Sequence, residues 1–485
     1  MRWLDLGVIL AYLVGITWFG AHFRHRQKTL KDYFLGGKRA PWWAISLSIV
    51  SAETSTLTVI GTPALSFAGN MGFLQVVFGY LLARIVISLL LLPHYFRGEM
   101  YTAYELMRRR FGDRIRNLTA AIFLVTRALA EGVRVFAVSI VISVILGTGE
   151  VASIILITGL TLFYTFEGGM TAVIWTDVVQ MFLYVFGAVL SLVVILQMVP
   201  GGWAHVLAAG QAAGKFQLFD FGFEFSREFF ARTYTFWAGI LGGCFLTTAS
   251  HGTEQLMVQR LLAARSERES KGALLASWVV IFTQFTLFLV IGIILFVYYR
   301  DTGRAAPDPL DRLYPDFIWR HLSPGIAGLV IAAIMAASMA NISAALNSLA
   351  STTIMDFLKP AELRRGTQRS DKSYLNLARW ATVFWGIVLL VIGIMARKWG
   401  SVLEAGLAIA SIPFGALLGV FLLGVLTRRA NQRGAMAGVV AGILTMVYVK
   451  FGTSIAWTWY VFAGSSVTFI TGYLVSLTVS EEAYA

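Results

Sequence analysis

The sequence predicts an all-α polytopic membrane protein with about 13 transmembrane helices, and three observations carry that class. Of 485 residues, 57% are hydrophobic and 13% charged, which excludes a water-soluble globule. The apolar residues gather into runs near the twenty-residue length that crosses a bilayer. The basic residues gather between them: connections 23–41, 97–117, 258–271, 357–379 and 427–433 hold about 25 of the 39 Lys and Arg, and these are alternate connections, as a threaded chain requires.

In chain order the runs are 3–22, 42–68, 72–96, 118–146, 151–167, 172–199, 234–257, 272–299, 324–356, 375–396, 402–426, 434–450 and 455–479. The positive-inside rule places the N-terminus outside and the tail Ser480–Ala485 inside. Loops 200–232 and 300–323 balance their basic residues with Asp and Glu and carry aromatics, so they read as outer caps. The same rule accounts for the net charge of +13 without a nucleic-acid partner. A single cysteine, Cys244, excludes an internal disulfide. The six histidines, His22, His25, His94, His205, His251 and His321, show no paired metal spacing and argue against an enzyme.

The run 42–68 is the informative one. Ser51-Ala52-Glu53-Thr54-Ser55-Thr56 interrupts it at mid-membrane, where each uncompensated polar group costs several kcal/mol. Gly61 and Pro63 weaken the helical ladder just beyond, so a broken or locally unwound helix that exposes backbone carbonyls is expected. In 118–146, Arg127, Glu131 and Arg134 share one helical face; Arg127 and Glu131 either neutralise one another or serve a solute. Asp177, near the start of 172–199, is either a cation ligand or a structural cap. In 324–356, positions 337, 341, 344 or 345, and 348 form a narrow face of small and oxygen-bearing side chains. That face either admits the broken stretch 51–54 to form an all-oxygen cage with Asn341, or simply packs closely.

Several ordered motifs give the chain a resemblance. They are Asp32-Tyr33-Phe34-Leu35-Gly36-Gly37-Lys38-Arg39 with Trp42-Trp43, Tyr101-Thr102-Ala103-Tyr104-Glu105 before Arg109-Arg110-Phe111-Gly112, and Gly168-Gly169-Met170-Thr171-Ala172-Val173 with Trp175-Thr176-Asp177 and Gln180. Gln255 with Gln259-Arg260 follows, and then Gly328-Leu329-Val330-Ile331-Ala332-Ala333 continuing to Ala345-Leu346-Asn347-Ser348. With these motifs in one register from about residue 3 to 430, the chain resembles the sodium:solute symporter family.

The resemblance implies a five-plus-five inverted-repeat (LeuT-type) core, with one extra N-terminal and two extra C-terminal helices. Residues 1–41 would be the extra helix and a basic cytoplasmic loop, 42–199 the first repeat, 200–233 an outer loop, 234–430 the second repeat, and 431–485 the last two helices and tail. The runs 42–68 and 234–257 would be the paired discontinuous helices, the second disturbed by Thr247, Thr248, Ser250, His251, Thr253 and Glu254. A sodium ion is implied on the backbone carbonyls of Ser51, Thr54 and Ala337 and on the Asn341 side chain, with Asp177 as a ligand of a second ion in some members. Two hydroxyl residues usual in the family are replaced here by Ala340 and Asn341. The implied solute contacts are Glu53, Ser55, Thr58, Phe73, Gln75, Arg127, Glu131 and Glu254.

The expected function is sodium-coupled symport of a small polar organic solute by alternating access, with proton-coupled or uncoupled carriage, or solute sensing, as the alternatives. No organic cofactor, nucleic-acid partner or obligate protein partner is expected. The location expected is a bacterial inner membrane.

Overall fold

In a computed structural model, which describes residues 2–23, 28–146, 149–308, 310–367, 369–397 and 402–478, every regular element is helical. The first half of the chain forms α1 (Trp3–Ala21), α2 (Leu30–Leu35), α3 (Trp42–Glu53), α4 (Thr56–Ala68), α5 (Leu74–Val86), α6 (Leu92–Tyr95), α7 (Tyr104–Phe111), α8 (Asp113–Leu146), α9 (Glu150–Gln197), α10 (Gly202–Ala212) and α11 (Arg227–Ala231). The second half forms α12 (Gly243–Gly252), α13 (Gln255–Leu262), α14 (Glu267–Thr302), α15 (Leu313–His321), α16 (Ile326–Thr352), α17 (Lys359–Arg364), α18 (Asp371–Ala396), α19 (Val402–Leu426), α20 (Gln432–Gly452) and α21 (Tyr460–Thr478). Among the described residues, eight helical stretches are long and apolar enough to cross a membrane, or nine if the bent pair α3–α4 counts as one. The expected tail Ser480–Ala485 lies outside the described residues.

Each apolar run of the sequence falls on helix, with two differences of detail. The runs 151–167 and 172–199 join as α9, which kinks at Gly169, where φ of +52° favours a residue without a Cβ. The second expected discontinuous helix breaks at its far end. Thr253 (φ −127°, ψ −17°) and Glu254 (φ −90°, ψ 131°) separate α12 from α13, because α12 satisfies the hydroxyls before the break by bonding them back to its own carbonyls.

The first break lies where the polar interruption placed it. Thr54 (ψ 114°) and Ser55 (ψ 167°) are extended, and α3 and the body of α4 diverge by 63°. Ser55 and Thr58 form a reciprocal capping box that starts α4 at once, which is why the gap is only two residues wide. Pro63, expected to weaken the ladder, sits inside α4 against Gly292 of α14, where an added Cβ would collide with the Pro63 carbonyl. It shapes a close helix approach and not the break.

At the centre lies α16, buried along almost its whole length and packed on α9, α1, α8, α3 and α4. Its N-terminus is capped from another helix: Asp5 of α1 accepts from the backbone N–H of Gly325 (2.6 Å) and of Gly328 (2.7 Å). The two long loops share one end of the molecule, where His205 meets Asp301 at 2.7 Å. The basic connections share the other end, through Arg265 to the Arg39 carbonyl, Lys31 to Glu99 and Arg364 to Asp113.

Candidate functional site

The break between α3 and α4 leaves carbonyls of the last α3 turn without helical partners, and these must be met inside a bundle with little water. Asn341 of α16 meets one of them. Its Nδ2 donates to the Thr54 carbonyl at 2.6 Å and to the Ala337 carbonyl of its own helix at 3.1 Å. Its Oδ1 accepts from Arg134 Nη1 at 3.4 Å. The arrangement fixes the amide orientation, since the reverse would set oxygen against two carbonyls and N–H against a guanidinium. Around it, Thr56 of α4 hydrogen-bonds Ser338 of α16, and Thr54 Oγ1 exchanges bonds with Gln284 of α14. Ser51 and Thr54 are fully buried.

The expected sodium ligands Ser51, Thr54, Ala337 and Asn341 are thus gathered at one break, except that the amide nitrogen and not the amide oxygen faces the two carbonyls. Asp177 of α9 is engaged elsewhere: Ser48 Oγ donates to it at 2.5 Å and Arg260 Nη2 of α13 at 2.8 Å. Its Oδ1 is buried without a described partner.

The expected solute contacts divide into two groups. One is taken up by structure. Ser55 and Thr58 cap α4; Gln75 donates to the Gly72 and Tyr234 carbonyls and accepts from the Asp220 N–H, tying the outer loop to the start of α5. Phe73 packs on Tyr234 and Phe285, with ring centroids at 5.8 and 5.0 Å. Of these, Thr58 and Phe73 keep accessible surface.

The charged candidates form pairs. Glu53 binds Arg84 Nη2 of α5 at 2.7 Å and His251 Nε2 of α12 at 3.2 Å, which joins both broken helices through one carboxylate. Arg127 is committed to Glu254 at the second break, with Nε at 2.8 Å, and reaches Glu131 at 3.5 Å. It is therefore not a free clamp for a carboxylated solute, because two carboxylates already surround it. Glu131 is fully buried and shared with Arg134 at 3.1 Å, and its Oε1 lacks a described partner. Arg134 keeps 30% of its side chain accessible, against 8% for Arg127.

Arg84, Arg260, His251 and Gln284 were not among the expected site residues. Arg84 had a signal, since a lone guanidinium in the apolar run 72–96 requires a buried partner. His251 and Arg260 were marked by the polar stretch and the motif they lie in, but their carboxylate partners, like the Thr54 partner of Gln284, lie 83 to 230 residues away in sequence.

A broken helix whose freed carbonyls face a small-residue helix, beside a buried ionic cluster, is the arrangement expected of an ion-coupled carrier. The sodium:solute symporter family model matches residues 33–442. The chain belongs to the sodium:solute symporter family. The human sodium/iodide cotransporter is 29% identical over 464 residues, covering 93% of this chain and 70% of that one. The sodium/sialic acid symporter NanT of Aliivibrio fischeri is 28% identical over 481 residues, covering 98% and 93%. A solved outward-open, substrate-bound Na+-coupled sialic acid symporter superposes with a TM-score of 0.88 at 27% identity, covering 98% of both chains. The nucleobase-cation symporter Mhp1 shares the fold at a TM-score of 0.59 and 13% identity. The chain is therefore an integral, multi-pass membrane transporter of this symporter family.

Proposed function

We propose that the protein couples sodium entry to uptake of a small organic anion across a bacterial inner membrane. One observation carries it above the others: Arg134, the most accessible of the intramembrane arginines Arg84, Arg127, Arg134 and Arg260, is linked through the Asn341 amide to the carbonyl pair at the α3–α4 break. Relatives named for monocarboxylate and sialic acid support an organic anion, and one named for iodide supports an anion. In this reading sodium sits on the Ser51, Thr54 and Ala337 carbonyls with the Asn341 amide oxygen, a hard all-oxygen set. The solute lies beside Thr58, Phe73 and Arg134, bordered by Glu53 and by the Arg127–Glu131–Glu254 cluster.

The repeats run 42–199 and 234–430, with the N-terminus outside. Sodium and solute drive transport only by binding the outward-open arrangement better than the inward one.

The test is uptake into proteoliposomes of labelled small acids, sugars, polyols and amino acids under an imposed sodium or proton gradient. Sodium-driven uptake of an acid, reduced at least about tenfold in Arg134→Met, is expected. Uptake that follows the proton gradient, or that favours a neutral polyol, contradicts the reading.

A further inference from the structure

The Asn341 amide bonds two of the three carbonyls that the proposed ion needs, and its N–H hydrogens repel a cation placed on the same oxygens. The N–H groups must leave the Thr54 and Ala337 carbonyls before a cation can sit there. Turning the amide over brings Oδ1 to the ion and directs the N–H groups toward Arg134, where two donors cannot bond. The Arg134 contact is therefore broken by the same rotation that admits the ion. Arg134 is left with Glu131, which it already shares with Arg127.

The local charges point the same way. Arg127, Arg134, Glu131 and Glu254 sum to zero, so a cation arriving next to them leaves one positive charge uncompensated. The Nη1 hydrogen released from Asn341 joins the other guanidinium donors in facing an anionic group that restores neutrality. Ion and anion then favour each other's binding, which is a coupling between two sites.

We propose that Asn341 is a two-state latch: its amide holds the empty ion site closed while bonding Arg134, and sodium binding turns it over and frees Arg134 for the solute. The inference rests on the sodium site proposed above. It assigns a positioning role to Asn341, whose amide spans the Thr54 carbonyl and the Arg134 guanidinium together, which a hydroxyl is too short to do.

A double-mutant cycle on sodium binding tests it. The full-length protein in nanodiscs is titrated with sodium chloride at constant ionic strength against choline, without solute, following tryptophan fluorescence; thermal unfolding in choline confirms that each variant is folded. Asn341→Ser removes the competing amide and supplies an oxygen, and sodium should bind about tenfold more tightly. Arg134→Met removes the bond that holds the latch shut, and sodium should bind about fivefold more tightly. In the double variant the Arg134→Met effect should vanish, because the latch it acts through is gone. An Arg134→Met gain of equal size in both backgrounds would mean simple charge repulsion at a distance, and would overturn the latch while leaving the ion site. Weaker sodium binding in Asn341→Ser would also overturn it. No sodium response in any of the four proteins would overturn the ion site and the latch together.

Discussion

At the residue scale, the membrane interior of this protein is a set of matched charges. A single guanidinium or carboxylate near the bilayer centre costs about 2.5–3.5 kcal/mol to insert. Arg84 with Glu53, Arg127 with Glu254, and Arg260 with Asp177 each remove that cost only as pairs. Breaking one pair leaves an uncompensated buried charge. Arg84→Ala should therefore lower stability by about 3–5 kcal/mol, read as a fall in the unfolding midpoint in detergent, and adding Glu53→Gln should recover part of it. A fall of similar size for Arg134→Met would contradict the reading that this guanidinium is the one held ready for solute.

At the scale of elements, the break in α3–α4 is a designed termination with a cap on its far side. Ser55→Ala should cost about 0.5–2 kcal/mol, measured by thermal unfolding, because it removes the acceptor for the Thr58 N–H. Gln75 performs a different task, holding the start of α5, the Tyr234 carbonyl and the Asp220 N–H with one amide. Gln75→Leu should accelerate hydrogen exchange across 217–225 while leaving α16 protected; equal exchange in wild type and variant would show that the outer loop has other anchors.

The interruption at 51–56 was legible in the sequence because a carboxylate and a row of hydroxyls stand in an apolar run. The exact break at Thr54–Ser55 was not, since it depends on which hydroxyls cap and which bond back to carbonyls. The same ambiguity hid the second break at Thr253–Glu254 behind a longer polar stretch. The i, i+4 spacing brought Arg127 and Glu131 together, but the stronger partner of Arg127 is Glu254, which only tertiary packing reveals. Asn341 was recognisable as a neighbour of the break. Its amide direction was not, because that is decided by Arg134 on one side and two carbonyls on the other.

At the scale of the whole molecule, α16 is the axis on which the other parts are registered. Asp5 from α1 caps one end of it, Asn341 contacts the α3–α4 break at its middle, and its buried length leaves little freedom to slide. Gly328→Val should separate α1 from α16, since an added Cβ would meet the Asp5 backbone at 2.5 Å, and should lower the unfolding midpoint more than Asp5→Asn does. By the positive-inside rule, the proposed orientation puts the basic connections inside and the aromatic loops outside. In a Cys244→Ser background, a membrane-impermeant thiol reagent should label a cysteine at Glu224 from outside intact cells and fail to label one at Glu99; the reverse pattern would invert the topology.

Direct binding tests the location of the ion most simply. Radiolabelled sodium is measured at equilibrium on the purified protein as wild type, Asn341→Leu and Asp177→Asn. Binding that is lost in Asn341→Leu and kept in Asp177→Asn is the result expected of an ion held at the α3–α4 break. Binding that survives Asn341→Leu and disappears in Asp177→Asn would contradict it, and would place the ion at the Ser48–Asp177–Arg260 cluster instead.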